Sequence, residues 1–199
     1  MNPFDPGYYS SAELRQFGFA RVGEGCAVAR NCTILGLENI TLGDRVRIDG
    51  YTSLIATRGS IRIGSFVHIC SGCVLGGRGG IELGDYSSLS HGAKLLSAAD
   101  DFSGERMTNS TLPDAVLGVT AAPIRVGRYV PLGTGTLVLP GAEIGEGAAV
   151  HAMSVVAGAL PAWTICGGNP AKPVRDRSRN LLDHAARLAA EADGEAERA

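Results

Sequence analysis

An aliphatic residue returns every six positions along most of this 199-residue chain. Val, Ile or Leu occupies positions 22, 28, 34; 42, 48, 54; 63, 69, 75; 83, 89, 95; 126, 132, 138; and 144, 150, 156. A period of six matches neither the roughly 3.5 residues of a coiled coil nor the roughly 3.6 of a helix. The residue four places on is mostly small or β-branched, as at Cys26, Val46, Val67, Cys73, Ala99 and Ala148; Glu38, Arg58 and Leu160 depart from that rule. Extra residues enter only after every third hexapeptide, at 40–41, 60–62, 81–82 and 101–125. Three hexapeptides therefore close one turn of a three-sided coil, and each layer completes its core by stacking on the next. The pattern predicts an all-β protein, a parallel β-helix of about six coils and roughly 29 Å tall. The chain contains 28 glycines, which suit close stacking of backbone layers. Where glycine follows the aliphatic, as at Gly43, Gly84 and Gly127, it predicts a corner with unusual φ.

The ends read differently. Ser10, Ser11 and Glu13 predict a short capped helix inside a lead-in over residues 1–21. The β-helix spans 22–175, interrupted by a long loop at 101–125 that has no clean period, and such a loop in a compact protein is usually functional. Residues 176–199 predict a helix with Leu181, Leu182, Ala185 and Leu188 on one stripe, running into a charged tail.

Composition narrows the function. A net charge of -2 gives no electrostatic footprint for nucleic acid, and no basic run suggests a lipid surface. No apolar stretch approaches the roughly 20 residues of a membrane span. The N-terminus lacks the features of a secretory signal, and five cysteines, an odd number, suit reduced thiols in a cytoplasmic setting. Cys70-x-x-Cys73 lacks the second pair that a zinc site of that type needs, so no metal is expected. GGRGG at 76–80 lacks the strand-to-helix context of a dinucleotide fingerprint.

The hexapeptide rhythm, together with LGTGTLVLPGAEIGEGAAVHAMSVV (132–156) and WTICGGNPAKPVR (163–175), resembles the hexapeptide-repeat acyltransferase family. The resemblance implies a left-handed β-helix, a homotrimer with active sites between subunits, and acetyl-CoA as co-substrate. The YYS-x-x-EL start, the FVHI run and the S-x-x-DD-F-SG-x-x-MTN loop are similar to acetyltransferases acting on nucleotide-linked 4-amino-4,6-dideoxy sugars for surface polysaccharides. It further implies that Thr134, Ala152, Ala157, Gly158, Lys172 and Arg175 face the pantetheine and phosphates. Where O-acetylating relatives carry a loop histidine, Asp100 stands here; their usual asparagine one turn earlier falls on Cys70, and a frequent Thr-Lys pair is Ala157-Gly158.

Thioester acyl transfer needs a nucleophile freed of its proton, a donor for the tetrahedral oxyanion, and fixed proximity. A sugar hydroxyl needs a base near neutral pKa, whereas an aspartate with a pKa of about 3.9 is a weak base. A neutral amine is already nucleophilic, and a carboxylate need only orient it and stabilise the developing ammonium. Asp100 therefore favours an amine acceptor. His68 and His91 are the competing acid–base candidates; His151 and His184 suit surface roles. Lys94, Asp101, Ser103, Glu105 and Asn109 are candidate contacts for a sugar or pyrophosphate. The alternatives are an O-acetyltransferase using His68 or His91, or a scaffold trimer without chemistry. A zinc hydrase on this fold needs three converging histidines, which the repeat positions do not supply.

Overall fold

The computed structural model describes Asn2 and residues 4–196, with side chains through residue 188. The charged tail beyond 196 lies outside the described residues. The chain winds as a left-handed parallel β-helix of about seven turns. Arg21–Val22, Ala27–Ala29 and Thr33–Leu35 form the three sides of the first turn. Later strands stack on these sides in parallel, so that Leu42 pairs with Ile63, Ile48 with Ile69 and Leu54 with Leu75. The result is three faces of seven, nine and six strands.

The six-residue aliphatics point inward, and apart from Ile34 at the open end all are buried. Ile40, Ile61, Ile81 and Ile124, at or beside the insertions, are buried as well, because each begins a strand of the seven-stranded face. The tight third corner moves the inward slot away from the position four places on. Where extra residues follow the third strand, the chain turns in sooner, and the inward slot passes to Ala56 and Ser97, both fully buried. Arg58 is thereby left outside, and Ala99 leaves the coil altogether to pair with Thr120.

A further partial turn extends the six expected. Ala159–Leu160 and Thr164–Gly168 continue two faces, with Leu160 on Ile144 and Cys166 on Val150. A shortened corner after Val156 puts Leu160 where a small residue was expected, and it packs as a core aliphatic instead.

The glycines after the aliphatics serve close approach rather than unusual φ. None of Gly43, Gly84 or Gly127 has positive φ. A Cβ on Gly43 would lie 2.6 Å from the backbone of Gly64, so only glycine lets these coils approach. The left-handed residues come two places later and include Phe66, Tyr86 and Tyr129, which stack outward with ring centroids 4.9 and 5.2 Å apart.

The nine-stranded face is finished at both ends by antiparallel strands, Tyr8–Ser10 on Ala27–Ala29 and Ala171–Asp176 on Thr164–Gly168. They cover edges that would otherwise offer unpaired backbone groups. Ser10 and Glu13 form a reciprocal capping box on the helix Ser11–Leu14. The C-terminal helix Leu181–Ala196 brings Leu181, Ala185 and Leu188 to a cavity shared with Tyr129 and Pro131. The seven-stranded face is charged outside, with Arg62 on Glu82 at 3.1 Å and Arg125 on Glu143 at 2.9 Å. A groove of about 690 Å³ runs along it, lined by none of the candidate site residues.

Candidate active site

Inward Ile48, Ile69 and Leu89 are paired across successive turns of the nine-stranded face. Period-two alternation turns the residues beside them outward. Before the aliphatic this gives Arg47, His68 and Ser88; after it, Asp49, Cys70 and Ser90. His68 Nε2 lies 2.8 Å from Asp49 Oδ2, Arg47 Nε donates to Asp49 Oδ1 across 2.8 Å, and the Tyr8 hydroxyl donates to the same oxygen across 2.8 Å. Burial alone would raise the Asp49 pKa, but hydrogen bonds from Arg47, His68 and Tyr8 outweigh it and hold the carboxyl down to about 2. Asp49 is therefore ionised, and His68 Nε2 carries the proton in their bond. Burial pushes the Cys70 thiol up, and the Asp49 charge adds to this.

His91, Thr134 and Ala152 lie at the next corner, one turn above another. The Gly135 N–H donates to the His91 carbonyl at 3.0 Å, and the Met153 N–H to the Thr134 carbonyl at 2.8 Å. All three side chains are exposed. Lys172 and Arg175 are exposed on the closing antiparallel strand, opposite Gly167 and Ile165. Ala157 and Gly158 are exposed at a different corner, after the strand Val155–Val156. Lys94 points outward from the six-stranded face, between Val74 and Leu137.

The long excursion is better ordered than its irregular sequence suggests. A two-stranded ribbon, Ala98–Asp100 on Val119–Ala121, carries it away from the coil. Asp100 ends the outgoing strand with an exposed side chain. Asp101 is committed to the loop itself. Its carboxylate accepts from the N–H groups of Ser103 at 2.8 Å and Arg106 at 2.9 Å, and these bonds, the Ser103 side chain first, lower its pKa. The Ser103 hydroxyl accepts from the Glu105 N–H, and Asn109 accepts from both the N–H and the hydroxyl of Thr111. Beneath the loop a cavity of about 400 Å³ has Ile55, Val74, Leu96 and Leu117 as apolar walls and Arg58 and Arg78 as cations.

One chain thus gathers some candidates and separates others. His91, Thr134 and Ala152 share a corner, and His68 has Asp49, Arg47 and Tyr8 around it. Among the described residues no hydrogen bond or ion pair joins His68 or His91 to Asp100. Tyr8, Arg47, Asp49 and Ser90 escaped the sequence reading. The repeat held the signal for two of them, because Asp49 and Ser90 follow their aliphatics by one place, as Cys70 does.

No family model matches the chain. Individual relatives do. The chain is 33% identical over 176 residues to the dTDP-4-amino-4,6-dideoxy-D-glucose acyltransferase of Escherichia coli, covering 88% of this chain and 92% of that one. It superposes with a TM-score of 0.88 on AntD, an N-acyltransferase from Bacillus cereus solved with dTDP and coenzyme A, at 31% identity over 93% of this chain and 98% of AntD. A hexapeptide-repeat acetyltransferase from Vibrio cholerae, at 20% identity and a TM-score of 0.57, shares the fold. The chain belongs to the hexapeptide-repeat acyltransferase family. It is an acyltransferase that draws its acyl group from a coenzyme A thioester.

Proposed function

We propose that the protein acylates the 4-amino group of a dTDP-linked 4-amino-4,6-dideoxyglucose, with acetyl-CoA as donor, for surface polysaccharide synthesis in the cytoplasm. The observation that carries this reading is the near full-length relationship to the E. coli acyltransferase of that sugar nucleotide. AntD supports it, having been solved with dTDP-4-amino-4,6-dideoxyglucose and coenzyme A. Substitutions in the AntD structures replace one serine and one aspartate ten positions apart. Ser90 and Asp100 are the only serine and aspartate in this chain with that spacing and order.

In the mechanism we assign, the neutral amine nitrogen attacks the thioester carbonyl, forming a C–N bond and a tetrahedral oxyanion. The intermediate collapses by breaking C–S. The proton shed by the nitrogen ends on the leaving thiolate, so amide and free thiol form with no net proton change. Asp100 orients the amine and stabilises the positive charge that nitrogen develops. We assign the Ser90 hydroxyl the role of donor to the oxyanion. We assign the coenzyme to the last turns, beside Thr134, Ala152, Lys172 and Arg175, with the two cations for its phosphates. The acceptor then extends toward the earlier turns, where Arg58 and Arg78 in the cavity beneath the excursion suit its diphosphate. The assembly we propose is a homotrimer with its active sites between subunits.

The His68–Asp49 pair favours a second reading. An imidazole oriented by a carboxylate is the base that a hydroxyl acceptor requires. Thiol release from acetyl-CoA, measured with the dTDP-amino sugar and with simple galactosides, separates the two. Turnover confined to the galactosides overturns the amine reading.

A further inference from the structure

We propose that Asp49, His68 and Cys70 form a binding site for a divalent transition-metal ion of the zinc class. The three side chains offer one oxygen, one nitrogen and one sulfur donor, and these atoms all lie within 4.8 Å of one another. The frame that holds them is rigid. His68 and Cys70 flank Ile69, which is fully buried, so both side chains point outward on the same face. Asp49 takes the same position one turn earlier, because Ile48 pairs with Ile69. The CxxC spacing that suggested and then argued against zinc is misleading here, since Cys73 points into the core and is fully buried. The partners of Cys70 come from across the strand and the turn below, which the linear spacing does not reveal.

The distances fit a small ion. His68 Nε2 stands 2.8 Å from Asp49 Oδ2 and 4.0 Å from Cys70 Sγ. Zinc bonds of about 2.0–2.3 Å set ligand–ligand edges of roughly 3.3–3.7 Å in a tetrahedron. Opening the hydrogen bond by about half an ångström and drawing the thiol in by about as much meets that geometry, a change side-chain rotation can provide. Mixed sulfur, imidazole and carboxylate donors select zinc, cobalt and their neighbours over magnesium or calcium. The other carboxylate oxygen of Asp49 is held by Arg47 and Tyr8, the outer-shell support that orients a ligating carboxylate. Coordination releases the Cys70 thiol proton to solvent, while the proton on His68 Nε2 moves to Nδ1 and leaves Nε2 free for the ion. The fourth position is open to water.

The test uses the intact protein and its own absorbance, so it does not depend on the acyl acceptor or on turnover. Titration with Co²⁺ is expected to give a near-ultraviolet thiolate-to-cobalt charge-transfer band and the intense visible bands of a tetrahedral ion, both abolished by excess Zn²⁺. Cys70→Ser should remove the charge-transfer band, and His68→Gln should weaken Co²⁺ binding at least tenfold. Cys32→Ser, which alters a thiol outside the triad, should leave the spectrum unchanged. Thermal melting shows that each variant is folded. No charge-transfer band in the native protein at millimolar Co²⁺, or a band that survives Cys70→Ser, overturns the proposal.

Discussion

Arg177 donates from one terminal nitrogen to the backbone carbonyl of Tyr129 across 2.7 Å. The same nitrogen lies 2.9 Å from the Gly147 carbonyl and 3.2 Å from that of Ala148. A single half-buried guanidinium therefore fastens the start of the C-terminal segment to the corner where the aromatic side chains stack. Arg177→Ala leaves these carbonyls short of a charged donor, a loss of about 1.5–3 kcal/mol. For a chain of this size that is about 3–12 °C in the melting temperature. Arg177→Lys should recover only part of the loss, because the ammonium keeps the charge but sits on a shorter side chain than the guanidinium's terminal nitrogen. An unchanged melting temperature in Arg177→Ala shows that the contact is not structural.

Asp49 makes acid stability sensitive to one carboxylate. Its folded pKa of about 2 lies below the ordinary 3.8, so the group contributes stability that is fully present above pH 3.8 and is lost as pH falls toward 2. Because the network is partly solvated, the contribution is about 1–2 kcal/mol. Denaturant midpoints measured from pH 5 to pH 2 should fall less steeply in Asp49→Asn than in the native protein. Parallel curves would falsify the assignment.

Gly147 separates steric exclusion from backbone strain. Its φ is +66°, and a Cβ there would lie 2.5 Å from the Trp163 ring. Gly92 has a similar φ of +69° with nothing within 4 Å. Gly92→Ala should lose only the strain, about 1 kcal/mol, whereas Gly147→Ala should lose about 2–4 kcal/mol as the ring is displaced. Equal losses mean that Trp163 moves aside freely.

The repeat made the coil, its three faces and its inward column legible, because an aliphatic at every sixth position has one packing solution. It failed where local spacing changed. The shortened corner before Leu160 hid the last turn, and the tight third corner moved the inward slot from Ala99 to Ser97. Much of the candidate site was hidden for a different reason. Tyr8 joins Arg47, Asp49 and His68 only when the antiparallel N-terminal strand is laid on the coil, and nothing in its linear spacing announces that contact. In the loop, Asp101, Ser103 and Asn109 stand out by composition, and the structure adds that each accepts a backbone N–H of the loop itself.

Asp100 differs from Asp101 in that respect, and the difference gives the sharpest test of the mechanism. The Asp100 carboxylate is exposed at the end of its strand and, among the described residues, accepts no hydrogen bond, so Asp100→Asn should leave the melting temperature within about 2 °C of native. Turnover is another matter. If the carboxylate stabilises the ammonium that forms as nitrogen attacks, its loss should lower kcat by about 100-fold or more. If the coenzyme occupies the last turns, as proposed, its KM should change little. If the Ser90 hydroxyl donates to the oxyanion, Ser90→Ala should lower kcat by roughly 100-fold, again with little effect on donor KM. Because the two groups act on the same transition state, the double variant should lose less than the product of the single effects. Steady-state kinetics with saturating dTDP-amino sugar decide it: full activity in Asp100→Asn removes the carboxylate from the chemistry and returns the proton to His68.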